Sequence, residues 1–489
     1  MYIKGETELE KPDWIAQQEA YIYVGQQKLR RGYTTGTCAA LAAQGAVRFL
    51  LTGSWRETEE LMTPKGIPVR VALEEKTSGD GWAECAVRKD AGDDYDVTNG
   101  ILVYARAEFV KDKSFCEKAH MPRPENSVSG SVRERSENCL KLNVGKRQET
   151  ERPVQRNVES REDLIRIDGG IGIGRVTKPG LDQPVGAAAI NSVPRKMIRD
   201  AVYALLEEAG ELFPVSITIS IPAGVEAAKK TFNPVLGIEG GISVLGTSGI
   251  VEPMSEEALV ETIRTHLNVL KAEGRKWVIA VPGNMGAGFL ERYLVEHGKF
   301  CTDAHQGSNA ADTDAAVEAE QMAYGELSTG TEPSLLEGFM NSLVTMSNFV
   351  GKTIDLAAEL GFSGILIAGH MGKLVKIGNG IMNTHSREAD GRMDTMLSCA
   401  LSAGTEDLEL LRKIQRSNTT DEAMDHLKQA GIIEDTINVF LKRADWHLTH
   451  RSRDEVRTGM IVFGTKGEYL GETEGADAIL RSALKELDQ

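Results

Sequence analysis

Three short segments in the second half of the chain place glycine beside a side chain that can hydrogen-bond a ligand. They are PGNMGAG (282–288), SNFVG (347–351) and GHMGK (369–373). Glycine lets backbone approach a bound molecule closely. The N–H groups of a helix that begins there suit a carboxylate or another anion. Asn284 and Asn348 can donate amide N–H groups, and His370 can donate or accept. Gly283, Asn284, Gly286, Asn348, Gly369 and His370 are therefore the candidate cofactor-binding residues. Neither GNMGAG nor the earlier GGIGIG completes a GxGxxG fingerprint, so the pattern indicates a ligand-binding class and not a particular ligand.

A second set of residues carries charge. Arg31, Lys178, Arg195, Lys373, Arg387 and Arg392 stand in or beside predicted turns, and Arg forks and Lys ammonium groups are natural partners for carboxylates. They are the candidate substrate-binding residues, and they suit a polyanionic small molecule. Taken singly, each is more often a solvated surface charge. His385, in NTHSREADGR, is a candidate catalytic residue that could act as a base or touch a metal in a substrate. Asp93 lies in KDAGDDYDVTNG, where a carboxylate could orient a hydroxyl or amine. The competing reading is an Asp-rich turn that caps backbone N–H groups. Thr37 and Cys38 open a small-residue helix. A thiol at a helix N-terminus can be activated as a nucleophile, but a small buried residue is the simpler reading. The six cysteines show no zinc spacing, and no protein-bound metal is expected.

Each glycine turn follows an apolar run and precedes a helical pattern: 277–281, 342–346 and 364–368 each lead through a turn to a helix. Repeated strand–turn–helix units predict a parallel α/β sheet, whose ligands sit outside the carboxyl ends of the strands. Upstream, Thr34, Thr35 and Thr37 are N-cap candidates for the Ala-rich helix. Alternation predicts strands at 67–73, 83–88 and 101–109. A helix is expected at 194–209 and a strand at 215–221. Residues 1–28 read as a loose polar leader, and 112–163 and 302–338 as polar insertions. The expected divisions are an α+β part over 29–250, an α/β cofactor part over 251–404, and a helical and strand tail over 405–489.

The 489 residues carry a formal net charge of −16. That acidity argues against nucleic-acid binding. No apolar run is long enough for a membrane span and no signal-peptide pattern opens the chain, so a cytoplasmic location is expected. Composition leaves homo-oligomer formation open.

Eight ordered blocks together resemble the CbiD family, the cobalt-precorrin-5B C1-methyltransferases. They are LRRGYTTGTCAALAA, VRKDAGDDYDVTNG, GIGRVTKPGL, INSVPRKMI, KTFNPVLGIEGGISVLGTSGIVEPMSEEAL, VPGNMG, SNFVG and GHMGKLVKIGNGIMNTHSREADGRMD. The resemblance implies an α+β N-terminal domain beside a Rossmann-like three-layer part with parallel strands. It implies methyl transfer from S-adenosyl-L-methionine to C1 of cobalt-precorrin-5B, giving cobalt-precorrin-6A. It carries over no settled catalytic residue. The two insertions depart from the family pattern between blocks, where they are expected to decorate the surface. The competing expectations are an acyl-transfer enzyme using Thr37 or Cys38, and a non-enzymatic corrinoid carrier.

Overall fold

The structure, a computed structural model, describes residues 20–110, 164–296 and 333–488, apart from 25, 211 and 213. The expected insertion at 112–163 lies outside the described residues. So does the expected insertion at 302–338 up to 332, but its last residues are helix, within Pro333–Asn341. The chain divides into two compact units between Ser255 and Glu256.

The first unit is built on helix α1 (Thr35–Thr52) and helix α2 (Ser192–Glu208), packed on each other and on a five-stranded sheet. Its strands are β1 (Glu74–Gly79), β2 (Trp82–Arg88), β3 (Leu102–Phe109), β4 (Ile165–Gly169) and β5 (Val215–Ser220), in the order β1-β2-β3-β5-β4. Only β4 and β5 run parallel; the other pairs are antiparallel. Period-2 burial fits a sheet covered on one face: Ala83, Cys85 and Val87, then Val103, Ala105 and Ala107, are all buried. The small residues of α1 permit close packing. A Cβ on Gly45 would lie 2.5 Å from a Leu73 methyl and 3.2 Å from the Cys85 sulfur. Thr34 is the N-cap, accepting from the Thr37 N–H. The expected loose leader is corrected at its end: Tyr21–Val24 and Gln27–Arg30 pair as an antiparallel hairpin.

The second unit holds strands β6 (Trp277–Val281), β7 (Val344–Thr345), β8 (Gly364–His370), β9 (Arg457–Phe463) and β10 (Tyr469–Glu472). Their order is β7-β6-β8-β9-β10. The first four run parallel and β10 is antiparallel. Alternate residues pack to opposite faces. Val278, Ala280, Ile365, Ile367, Met460 and Val462 meet helices α3 (Glu256–Ala272), α6 (Val350–Glu359), α8 (Arg392–Ser402), α9 (Leu408–Arg416), α10 (Thr420–Gln429) and α11 (Ile433–Ser452). Ile279, Val281, Leu366, Ala368, Ile461 and Phe463 meet α4 (Asn284–Glu296), α5 (Pro333–Asn341) and α12 (Ala476–Leu487). Burial on both faces explains why these strands read as continuous apolar runs. Between α6 and α8 lie the one-turn helix α7 (Met371–Leu374) and a 3-10 turn at Val375–Asn379. The tail expected from 405 onward is not separate. β9 is an interior strand of this sheet, paired with β8 over seven residues.

Among the described residues no helix is long and apolar enough to cross a membrane. The same residues contain no group of three or more His, Cys, Asp or Glu placed to hold a metal.

Candidate functional site

In the second unit the chain runs from β6 out to β7 on one side, then crosses back to β8 on the other. Such a reversal opens a crevice beyond the carboxyl ends of the two strands beside it. The ends of β6 and β8 are the segments Pro282–Gly283 and Gly369–His370. Parallel pairing brings them together, with a Cβ built on Gly369 only 3.1 Å from the Pro282 ring. The end of β7 supplies Ser347 and Asn348. Ser347 takes a left-handed backbone (φ 53°), unusual for a residue with a side chain.

The glycines here do different work. A Cβ on Gly283 would meet nothing within 4 Å, so the space before it is open. Gly286 is buried, and its Cβ would lie 2.9 Å from the Ala368 carbonyl and 3.0 Å from Val281 Cβ. It lets α4 pack on β6 and β8, a packing role that accounts for the glycine without a ligand. Gly369 is similarly enclosed by Leu374 and Pro282. Asn284, on the first turn of α4, is exposed.

The His370 ring is held by the protein. Its Nδ1 accepts from the Gly372 N–H at 3.0 Å, which leaves the proton of the neutral ring on Nε2. Nε2 then donates to Thr465 Oγ1 (2.9 Å), whose hydroxyl donates to Asp421 (2.6 Å). Both ring nitrogens are used by the protein, so His370 ties the strand-end turns of β8 and β9 together.

The loop 381–391 lies over the end of β7. The Gly351 N–H donates to the Met382 carbonyl, and the Thr384 N–H to the Asn348 carbonyl (2.9 Å). The Thr384 hydroxyl adds a bond to Asn348 Oδ1 (3.3 Å). Beneath the loop sits Lys376, only 2% exposed, donating to the carbonyls of Thr384 (3.1 Å) and Ala389 (2.6 Å). Burial draws its ammonium below the usual lysine value, and Asp390 opposes that shift. From sequence Lys376 read only as one of several basic residues near turns, and its role of pinning two carbonyls of one loop was not foreseen. Its only signal there was a cation inside an apolar run, LVKIG. On the loop, His385 Nδ1 accepts from the Arg387 N–H at 3.1 Å, and the His385 backbone N–H donates to Asn383 Oδ1.

Among the cations, Lys373 and Arg387 are exposed and form no ion pair among the described residues. Partial desolvation lowers the pKa of Lys373. Arg392 is engaged by Asp390 (2.5 Å).

The first-unit candidates all have partners within the protein. The Thr37 hydroxyl is fully buried and donates to the Gly249 carbonyl at 2.6 Å, so it closes a turn and presents nothing to a substrate. Asp93 accepts from the Arg30 backbone N–H at 2.6 Å, the capping role. Arg31 is paired with Glu252 (2.7 Å), which Lys65 also contacts. Arg195 donates to the carbonyls of Ile190, Ile167 and Ala188, and burial pulls its guanidinium below the usual value. Lys178 lays its stem over Gly237 and donates to the Val235 carbonyl. Each of these groups contributes to the fold.

The buried Lys89 pairs with Asp96 and donates to Thr98 Oγ1 (2.9 Å). Burial raises the Asp96 pKa, but the bonds from Lys89 and Thr98 outweigh it and hold the carboxyl below its usual value. A depressed carboxyl contributes stability that is present above its unfolded value, about 4, and is lost as pH falls through the folded value. Urea midpoints should therefore drop for the native protein below about pH 4. Asp96→Asn should start lower at neutral pH and show a smaller acid-side loss; an unchanged pH profile contradicts this reading.

Cys38 is fully buried, and burial pushes its thiol up to about 12. Native protein treated with iodoacetamide at pH 8 should carry no label on Cys38 by peptide mass mapping, while urea-unfolded protein should be labelled there. Rapid native labelling would restore the nucleophile reading.

The second unit is an α/β unit whose strand order reverses beside β6, with Gly283 open at that strand's end; in proteins of this class small molecules are bound at such a reversal. Family models described as "CbiD" (residues 22–121 and 146–253) and "CbiD, C-terminal domain" (383–474) match the sequence. The chain belongs to the CbiD family. It is 37% identical over 414 residues to the cobalt-precorrin-5B C(1)-methyltransferase of Thermoanaerobacter sp. (strain X514), covering 85% of this chain and 87% of the relative. The protein of the same name from Ruminiclostridium cellulolyticum is 34% identical over 477 residues, covering 96% of this chain and 100% of the relative. A 1.9 Å crystal structure of cobalamin biosynthesis protein (cbiD) from Archaeoglobus fulgidus matches at 22% identity with a TM-score of 0.32, covering 78% of this chain and 94% of that one.

Proposed function

We propose that this chain transfers the methyl group of S-adenosyl-L-methionine to C1 of cobalt-precorrin-5B, giving cobalt-precorrin-6A and S-adenosylhomocysteine, in the cytoplasm. The second unit is read as a Rossmann-like, three-layer cofactor part. The open space before Gly283, at the reversal of strand order, carries the reading. The names of the relatives support the reaction.

The donor's sulfonium supplies an already activated methyl group. The residues of this chain then have to bind and orient. Gly283 leaves room for a ligand against backbone. Asn284 and the side-chain amide of Asn348 offer N–H donors at adjacent strand ends. Lys373 and Arg387 supply positive charge for carboxylates of the substrate. Fixing two reactants in line can lower the barrier by roughly 7–11 kcal/mol, so no nucleophile or bound metal is needed. The burial of Thr37 and Cys38 accords with that economy.

The test is anaerobic incubation of purified protein with cobalt-precorrin-5B and S-adenosyl-L-methionine bearing a labelled methyl group. Label should pass to the corrinoid, with a stoichiometric yield of S-adenosylhomocysteine. An unlabelled corrinoid with intact donor would end the proposal.

A further inference from the structure

His385 differs from His370 in one respect that sets its chemistry. Its Nδ1 accepts the Arg387 N–H, so the neutral ring carries its proton on Nε2, and Nε2 has no hydrogen-bond partner among the described residues. The ring is half-buried, on a turn closed by the Glu388 N–H to the His385 carbonyl (3.2 Å). Asn383 holds the backbone N–H of the same residue (3.1 Å). Lys376 clamps the loop on both sides of it, at Thr384 and Ala389. An imidazole so fixed keeps one N–H that no described residue uses. It offers no lone pair, because acting as a base or metal ligand through Nε2 would require the proton on Nδ1, where the Arg387 N–H already points. Two residues on, the exposed Arg387 side chain adds a guanidinium with no ion pair among the described residues.

We propose that His385, through its Nε2–H, and Arg387, through its guanidinium, together grip one carboxylate arm of the substrate, and that His385 is neither a base nor a cobalt ligand. The inference rests on the methyltransferase reading and names the substrate group this loop recognises. A neutral donor beside a cation suits a carboxylate, since both bonds are charge-assisted and no second charge must be desolvated. The corrin precursor's acetate and propionate arms are such groups.

The test uses the full chain with His385→Phe, which keeps a planar ring without a donor, and His385→Gln, whose amide can place an N–H near the Nε2 position. Three readouts are needed. The 15N spectrum of imidazole-labelled wild-type protein should show His385 as the Nε2–H tautomer. His385→Phe should raise KM for cobalt-precorrin-5B about 10- to 100-fold, the loss of one hydrogen bond to a charged group. Its kcat should stay within about twofold, its calorimetric affinity for S-adenosylhomocysteine should be unchanged, and His385→Gln should recover most of the KM. A KM unaltered in His385→Phe, an Nδ1–H tautomer, or a visible-band shift of bound corrinoid that disappears in His385→Phe would each overturn the inference. Wild-type protein that binds cobalt-precorrin-5B without methylating it would instead overturn the proposed function. Direct binding to wild type and to His385→Phe would still decide the role of His385.

Discussion

Lys376→Met should lower kcat/KM for methyl transfer by about 100-fold while the second unit stays folded. The variant removes a buried ammonium and strands the carbonyls of Thr384 and Ala389, which it holds at 3.1 and 2.6 Å. An unsatisfied buried acceptor costs about 1–3 kcal/mol, and lifting the loop toward water is the cheapest way to avoid that cost. His385 and Arg387 move with the loop, and a displacement of about 1 Å in a positioning group is enough for a 100-fold loss. The sheet beneath has its own core, with Ile365, Ile367, Met460 and Val462 packed on six helices. Hydrogen exchange should therefore accelerate at residues 384–388 and remain slow in β8 and β9. Full activity, or exchange that quickens across the whole sheet, contradicts the clamp.

Gly283→Val and Gly286→Val, three residues apart, should fail in opposite ways. Gly283→Val should weaken S-adenosylhomocysteine binding by roughly 10- to 100-fold with little change in melting temperature, because its branched side chain enters space that is empty of protein within 4 Å of the Cβ. Gly286→Val should keep the affinity of whatever protein remains folded but lower the melting temperature. Its Cβ would lie 2.9 Å from the Ala368 carbonyl and 3.0 Å from Val281 Cβ, neither of which can turn aside. Overpacking of that kind costs about 1–3 kcal/mol, and each kcal/mol lowers the melting temperature of a unit this size by roughly 2–4 °C. Calorimetry and thermal melts on the two variants separate the roles. Unaltered affinity in a folded Gly283→Val protein would move the donor site away from the end of β6.

Legibility differed between the two units for physical reasons. The strand–turn–helix units of the second unit stood out because strands buried on both faces have almost no polar residues, and residues 277–281 matched to the residue. In the first unit alternation picked out the antiparallel strands β2 and β3, while β1, mostly exposed, was not expected. The hairpin at residues 21–30 was missed: its strands are four residues each and none of their residues is fully buried, so they lack both signals. The strand at Arg457–Phe463 joins the sheet through a partner 93 residues away in sequence, and no local pattern reports such a pairing.

Charged residues were the hardest to read. A carboxylate, guanidinium or ammonium has the same letter whether it meets ligand or protein. Arg195 faces three backbone carbonyls, and Arg31 faces Glu252 from 221 positions away. Lys373 and Arg387 have no such partner among the described residues.

The amino-acid sequence by itself determined the family, the α/β character of the second unit and the placing of glycines at strand ends, because each depends on residue order or local periodicity. Tertiary structure alone decided which glycine is open and which is packed, and which cations are already paired. Those are settled by atoms brought within about 3 Å by folding, and hydrogen bonds are too short-ranged to leave a trace in the spacing of residues along a chain.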